Sequence, residues 1–301
     1  MSGRRVGAVV NPVSGDGRGT AMLESLRDCL GPNCRVDAKV TGGPGEVPAA
    51  AASFADRDLL CVVGGDGTVR EATTELLGRE GPPLFVVPAG RGNSLYRHLY
   101  GRADWRALAR RLGRSFESRP LDAGRYDADG ETGHFLLGFT GGLFRAAVEA
   151  SETFGFLPGP LAYLLGMGRA LTGEDPVSVR LATDGETLFD GPARLVAVGG
   201  GRYRGDRFDL LPESRPADGD LHALVVEPTG LRDVLAITRA GPEGAHLDHP
   251  AVHYHRAPEF DLSAPEGLPV EVDGTVLPDP VREADLAVDP GALRVAYPVG
   301  F

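Results

Sequence analysis

The sequence predicts two domains, an α/β domain built on a parallel sheet and then a mainly antiparallel β domain. Three observations carry this. The N-terminal part alternates short apolar runs with helix-period stretches, each apolar run ends in a Gly, Pro or Asn cluster, and beyond Leu121 the period shortens to two, with Asp-Gly turns. At 301 residues the chain is also long for one hydrophobic core. The expected boundaries are 1–122 for the α/β domain, with a strand at 291–301 returning to it, and 123–290 for the β domain.

In order, the expected strands of the first domain are Val6–Val10, Arg35–Val40, Leu59–Val63 and Leu84–Val87. Helical stretches fall at Gly19–Leu30, Gly45–Phe54, Val69–Leu77 and Ser94–Leu112. Ligands of open α/β sheets bind outside the carboxyl ends of the strands, so the loops Asn11–Gly19, Gly64–Thr68 and Pro88–Ser94 are expected to meet on one edge. In the second half, Val177–Ala182 before Asp184-Gly185 and Val270–Val272 before Asp273-Gly274 read as strands entering hairpin turns. Two helical stretches interrupt it, around Leu143–Ser151 and Leu161–Leu171. The second is apolar on nearly every side, which suits the lining of an acyl pocket and suits plain core packing better. Leu293–Tyr297 reads as the returning strand.

Composition excludes several classes. Hydrophobic residues make up 42% and charged residues 24%, and no apolar run reaches the ~20 residues needed to cross a bilayer. The first residues lack a signal-peptide pattern, so the expected location is cytoplasmic, with any contact at the inner membrane face peripheral. Cys29, Cys34 and Cys61 have no metal-ligand spacing and suggest no disulfide framework. A net charge of -11 argues against nucleic acid as the main partner. One stretch runs the other way, with arginines at 91, 97, 102, 106, 110, 111, 114 and 119 against Asp104 and Glu117. It reads as a solvated helix face or as a docking face for anionic lipid. Lys39 is the sole lysine and lies in no phosphate loop, which removes Walker A ATPases, protein kinases and Ser-x-x-Lys acyl enzymes. Any phosphate must be held by backbone N–H groups, arginine or metal.

The chemistry centres on Gly64-Gly65-Asp66-Gly67-Thr68, which follows an apolar strand and precedes a helix. Glycines let the backbone approach a phosphate closely, and the helix start favours negative charge. Asp66 at its centre suits either Mg²⁺ coordination or acceptance of a hydroxyl proton; the plainer reading is a tight turn with Asp as a cap. Asn11-Pro12-Val13-Ser14-Gly15 follows the first strand, and Pro88-Ala89-Gly90-Arg91-Gly92-Asn93-Ser94 follows the fourth.

These three segments, in this order, resemble the catalytic domain of the diacylglycerol kinase family, which includes bacterial lipid kinases and sphingosine kinases; NAD kinases share the glycine-aspartate loop. The resemblance continues through Leu137-Gly138-Phe139 with Gly142, Val198-Gly199-Gly200-Gly201, Ala217-Asp218-Gly219-Asp220-Leu221 and Glu271-Val272-Asp273-Gly274, and so covers nearly the whole chain. It implies a fold of the NAD kinase/diacylglycerol kinase type, with ATP on the first domain and lipid presented by the second. It also implies nucleotide contacts from Asn11, Thr41, Gly64, Gly65, Gly67, Thr68, Gly90, Arg91, Gly92 and Asn93, and a Mg²⁺ held by the Asp218 carboxylate and a carbonyl such as that of Asp220. The partner implied is a lipid or lipid-like alcohol, and a homodimer is compatible with the sequence.

Three departures stand out. Arg91 and Ser94 replace the Thr and final Asp of the family's Pro-x-Gly-Thr-Gly-Asn-Asp loop, and Arg91 could hold a phosphate bidentately. Asp273-Gly274-Thr275 replaces the usual Asp-Gly-Glu, whose Glu is the proton acceptor proposed for bacterial members. A threonine is no base at neutral pH, so the catalytic candidates are Asp66 first, then Glu271 and Asp273. The expectation is phosphoryl transfer from ATP to a lipid hydroxyl. Its rivals are a soluble hydroxylated acceptor and a non-catalytic nucleotide- or lipid-binding homologue. His246, His249, His253 and His255 cluster within ten residues but lack an acidic or thiol partner at ligand spacing.

Overall fold

The computed structural model describes residues 3–17, 19–43, 45–90, 92–142, 175–204 and 208–301; Arg91 and the expected helices around Leu143–Ser151 and Leu161–Leu171 lie outside them. The chain forms two compact units. The first comprises Met1–Ala123, Arg215–Asp218 and Asp289–Phe301, the second Gly124–Ser214 and Gly219–Val288.

In the first unit β1 (Arg4–Val10), β2 (Cys34–Val40), β3 (Leu59–Gly64) and β4 (Leu84–Pro88) lie in the order β2-β1-β3-β4, every pair parallel. The returning C-terminal segment joins β4, also parallel, with Val295 opposite Leu84. All six residues of β3 are buried, which is why it reads as an uninterrupted apolar run rather than an alternating one. Around the sheet lie α1 (Ser14–Gly17), α2 (Gly19–Leu30), α3 (Glu46–Ala52), α4 (Asp66–Thr74), α5 (Ser94–Tyr100) and α6 (Trp105–Leu112). In α2 the buried residues Leu23, Leu26 and Leu30 recur at helical spacing, the apolar stripe that drives it onto the sheet.

Two expectations need correction. The single helix over Ser94–Leu112 is two helices. Gly101 leaves α5 at φ 64°, and the Asp104 carboxylate then caps α6 by accepting the N–H groups of Arg106 and Ala107. Arg102 therefore precedes α6 and shares no helix with Arg106 and Arg110. The helix expected from Val69 instead begins at Asp66, so Asp66-Gly67-Thr68 is a first helical turn and not a free loop.

The second unit is antiparallel. β5 (Phe116–Ala128), which enters it from the first unit, and β6 (Glu131–Phe135) form a hairpin over Asp129-Gly130. β7 (Phe139–Gly142), β8 (Val177–Thr183), β9 (Glu186–Ala193), β10 (Leu195–Gly199), β11 (Tyr203–Arg204), β12 (Phe208–Asp209) and β13 (Leu221–Val226) follow, then α7 (Leu231–Ala240). β14 (Val252–Ala257), β15 (Glu259–Leu268), β16 (Val270–Val272), β17 (Thr275–Val276) and β18 (Val281–Pro298) complete the chain. One sheet runs β14-β13-β10-β7-β16-β17; β18, β15, β8 and β9 pair in that order in another. Phe139, Val198, Val225 and Val272 from the first interdigitate with Leu181, Phe260, Leu262 and Leu286 from the second, a sandwich core. The turns at Asp184-Gly185 and Asp273-Gly274 hold both residues at positive φ, as the expected hairpins require.

Candidate active site

Three loops leave the carboxyl ends of β1, β3 and β4, and backbone hydrogen bonds join them. The Asn11 N–H donates to the Val63 carbonyl (3.0 Å) and the Ala89 N–H to the Gly64 carbonyl (3.0 Å). The Asn11 side-chain amide donates to Thr68 Oγ1 (3.0 Å), and its Oδ1 accepts the Val13 N–H (3.2 Å). Asn11 thus spans the first and second loops.

Asp66 ties the second loop to the third. Its Oδ2 accepts the N–H of Ser94 and its Oδ1 the N–H of Leu95, both at 3.0 Å, so this carboxylate caps α5 from a distant point in the chain. Asn93, at φ 48°, closes the third loop on itself, its Oδ1 accepting the Gly90 N–H (2.8 Å) and its amide donating to the Gly90 carbonyl (2.7 Å). Gly65 and Gly90 meet backbone to backbone: a Cβ on Gly90 would lie 2.6 Å from the Gly65 Cα. Gly90→Ala is therefore expected to push the two loops apart at a cost of about 1–3 kcal/mol of stability, read as a lower melting temperature in thermal melts.

The helix these loops surround is left open. Gly65, the N-cap of α4, makes no side-chain cap, and among the described residues nothing outside its own helix lies within 4 Å of where a Cβ on Gly67 would sit. The first N–H groups of α4 have no intrahelical acceptors, and the positive end of the helix dipole lies at the same place. Thr41, at the end of β2, directs both its N–H and its Oγ1 to the Val10 carbonyl. With Lys39, Val40, Glu46, Ala49 and Ala50 it lines a cavity of about 330 Å³.

In the second unit the Asp273 carboxylate is buried and accepts three N–H groups, those of Leu136 (2.7 Å), Leu137 (2.9 Å) and Gly138 (2.8 Å). Burial pushes its pKa up, against those donors and the Arg204 guanidinium. Glu271 sits opposite Thr140 in the β16–β7 pair. Burial raises its pKa too; the Arg204 guanidinium works against this and the Asp273 carboxyl with it. Arg204 is itself buried, its guanidinium lying where a side chain on Gly138 would be. Sequence reasoning missed Arg204, the second residue of the two-residue strand β11, three positions beyond the Val198-Gly199-Gly200-Gly201 segment. A carboxyl whose folded pKa is raised holds its proton more tightly when folded. The stability it contributes is complete below the unfolded pKa and is lost as pH rises through the folded one. Glu271→Gln should therefore flatten the fall in melting temperature from about pH 4 upward and leave the variant the more stable protein at about pH 8.

Asp218 suits Mg²⁺ as a hard oxygen donor, although its Oδ2 already accepts the Arg215 N–H (2.9 Å). The Asp220 carboxylate pairs with the Arg256 guanidinium, so what Asp220 has to offer a cation is its carbonyl. Among the described residues no three His, Cys, Asp or Glu side chains gather as a metal cluster. The histidines find other partners: His246 the Leu210 carbonyl, His249 Asp233, and His253 Glu227.

A parallel sheet whose strand ends converge on glycine loops, with an antiparallel sandwich as a second unit, defines the class as a parallel α/β domain joined to an antiparallel β domain. Comparison with known proteins narrows this. The family described as "Diacylglycerol kinase catalytic domain" matches residues 5–126, and "YegS C-terminal NAD kinase beta sandwich-like domain" matches residues 140–297. The chain belongs to the diacylglycerol kinase family, with the YegS type of C-terminal domain. A diacylglycerol kinase of Staphylococcus carnosus (strain TM300) is 26% identical over 278 residues, 90% of this chain and 88% of that protein. One of Staphylococcus saprophyticus is 26% identical over 234 residues, 77% of this chain and 75% of that one. Among solved structures, a diacylglycerol kinase from Bacillus anthracis str. Sterne superposes with a TM-score of 0.72 at 22% identity, covering 99% of this chain and 98% of that one. A second structure from that organism reaches 0.78 at 24% identity over the whole of both chains. These likenesses bear on the fold, and the family supports a lipid kinase-type activity with an alcohol as acceptor. Among the described residues no helix is long and apolar enough to cross a membrane.

Proposed function

We propose that this protein transfers the γ-phosphoryl group of ATP to a hydroxyl of a diacylglycerol- or sphingosine-like lipid. One observation carries the reading: the open N-terminus of α4, pinned by Asp66 to the loop that starts α5, presents backbone N–H groups where no lysine exists to hold a phosphate. In the reaction the acceptor oxygen bonds to the γ-phosphorus, the bridging P–O bond to ADP breaks, and the hydroxyl proton passes to a carboxylate. The amides of Gly64, Gly65, Gly67 and Thr68 and the loop Gly90, Arg91, Gly92 and Asn93 bind the phosphates, and Asn11 and Thr41 complete the nucleotide site. Mg²⁺, when bound, neutralises phosphate charge, and Asp218 with the Asp220 carbonyl supports a structural ion.

Asp66 is the first candidate for the proton. Each of its oxygens accepts one N–H and keeps another lone pair. Of the fallbacks, Glu271 is better suited to exchange a proton than Asp273, whose oxygens already hold three N–H groups. Phosphoryl transfer is driven chiefly by positioning and charge neutralisation, so Thr275 in place of a glutamate does not by itself end activity.

The test is calorimetric titration of the purified chain with Mg²⁺-ATP, followed by transfer of labelled phosphate to diacylglycerol and sphingosine in mixed micelles. Saturable binding and a labelled lipid product are expected, with binding weakened in Arg91→Ala. Absence of binding at millimolar ATP would replace this reading with the non-catalytic homologue.

A further inference from the structure

Five arginines of the stretch noted in the sequence are exposed together on and around α6 in the first unit. Trp105, Leu108, Ala109 and Leu112 of α6 are buried, which turns Arg106, Arg110 and Arg111 outward, and Arg102 before the helix and Arg114 after it are exposed as well. The acids nearby in sequence are committed: the Asp104 carboxylate caps α6, and Glu117 pairs with Arg119. α2, which packs against α6, brings Glu24, paired with Arg27, and Asp28. Elsewhere, Arg5, Arg57, Arg202 and Arg256 each pair with an aspartate, whereas among the described residues Arg102, Arg110 and Arg114 form no ion pair. Arg106 lies over the Trp105 ring at 4.6 Å.

Apolar surface adjoins these cations. Arg111 donates to the Val299 carbonyl (2.8 Å), which sets Val299, 58% exposed, beside α6. Phe301 is 41% exposed, its ring against Tyr100 and Tyr297 and its carbonyl accepting from Arg119. Cationic side chains next to apolar groups able to enter the headgroup layer are the chemistry of an interfacial contact.

We propose that this face, Arg102, Arg106, Arg110, Arg111 and Arg114 with Val299 and Phe301, docks the protein on a bilayer carrying anionic phospholipids. The choice of a bilayer over another anion rests on the lipid kinase reading, because a diacylglycerol-like acceptor resides in one. Charge supports it as well. On a chain of net charge -11, a local cationic face attracts an anionic surface in one orientation, whereas an extended polyanion wrapping the molecule would be repelled.

The experiment is co-sedimentation of the full chain with phosphatidylglycerol/phosphatidylcholine vesicles and with pure phosphatidylcholine vesicles, at low and high salt. Wild type should sediment with the anionic vesicles alone and be released by salt. Arg106→Gln, Arg110→Gln and Arg114→Gln combined should weaken binding on the order of 100-fold. Val299→Ser should weaken it less and independently of salt. ATP calorimetry on the same samples serves as the folding control and keeps the two ideas separable, since unchanged ATP binding with no vesicle binding in wild type overturns the docking face alone. Equal binding of the triple variant, or equal binding to zwitterionic vesicles, overturns it too.

Discussion

Asp66→Asn should lower phosphoryl transfer by about 10²–10⁴-fold and weaken ATP binding at the same time. The double effect follows from geometry. The carboxylate offers an acceptor to each of two N–H groups at the start of α5. An asparagine offers one oxygen and one NH₂, so either Ser94 or Leu95 would face a donor with its own donor. The loop from Pro88 to Ser94 would then lose its anchor, and the first candidate for the proton acceptor would be lost with it. Steady-state kinetics beside ATP calorimetry separates the two parts. A fall in kcat with unchanged ATP affinity would leave Asp66 only the proton, and weaker ATP binding with normal kcat would leave it only the anchoring. Transfer within a few-fold of wild type would remove it from the site altogether.

Asp273→Ala should cost about 3–5 kcal/mol, a large share of the stability of an ordinary domain. Three buried N–H groups, of Leu136, Leu137 and Gly138, would lose the carboxylate that accepts them, and alanine at φ 48° would add backbone strain. Asp273→Asn should be milder. Its oxygen can still accept the two N–H groups that now share Oδ1, and asparagine tolerates the left-handed turn, so the loss is confined to Leu136. Urea unfolding of both variants gives the order. If Asp273 were the proton acceptor instead, the asparagine variant would keep its unfolding midpoint and lose its activity.

How much was legible in the sequence differs between the two units. The central strands of the first could be read because burial on both faces demands an uninterrupted apolar run, as in Leu59–Val63, and the edge strand β2, which is not buried, because it too ends in a loop signal. The Asp-Gly hairpins of the second were legible for a similar local reason, since only a few residue pairs take positive φ twice in succession. The break between α5 and α6 was missed because Arg97 to Leu112 keeps a helical period across Gly101. The decisive signal was the cap formed by Asp104, which looks like any other exposed acid.

What the sequence determined by itself is therefore what depends on neighbours in the chain: strand and turn positions, the glycine loops, the absence of a usable lysine, and the motif order that marks the family. What only the tertiary structure decided is what each carboxylate does. Asp66 looks like a loop residue but caps a helix 28 positions away, Asp273 looks like a hairpin residue but holds three amides more than 130 positions away, and Glu271 is raised by burial beside an arginine no motif announces. Hydrogen bonds and desolvation depend on which groups meet in space, and chain proximity carries no record of that.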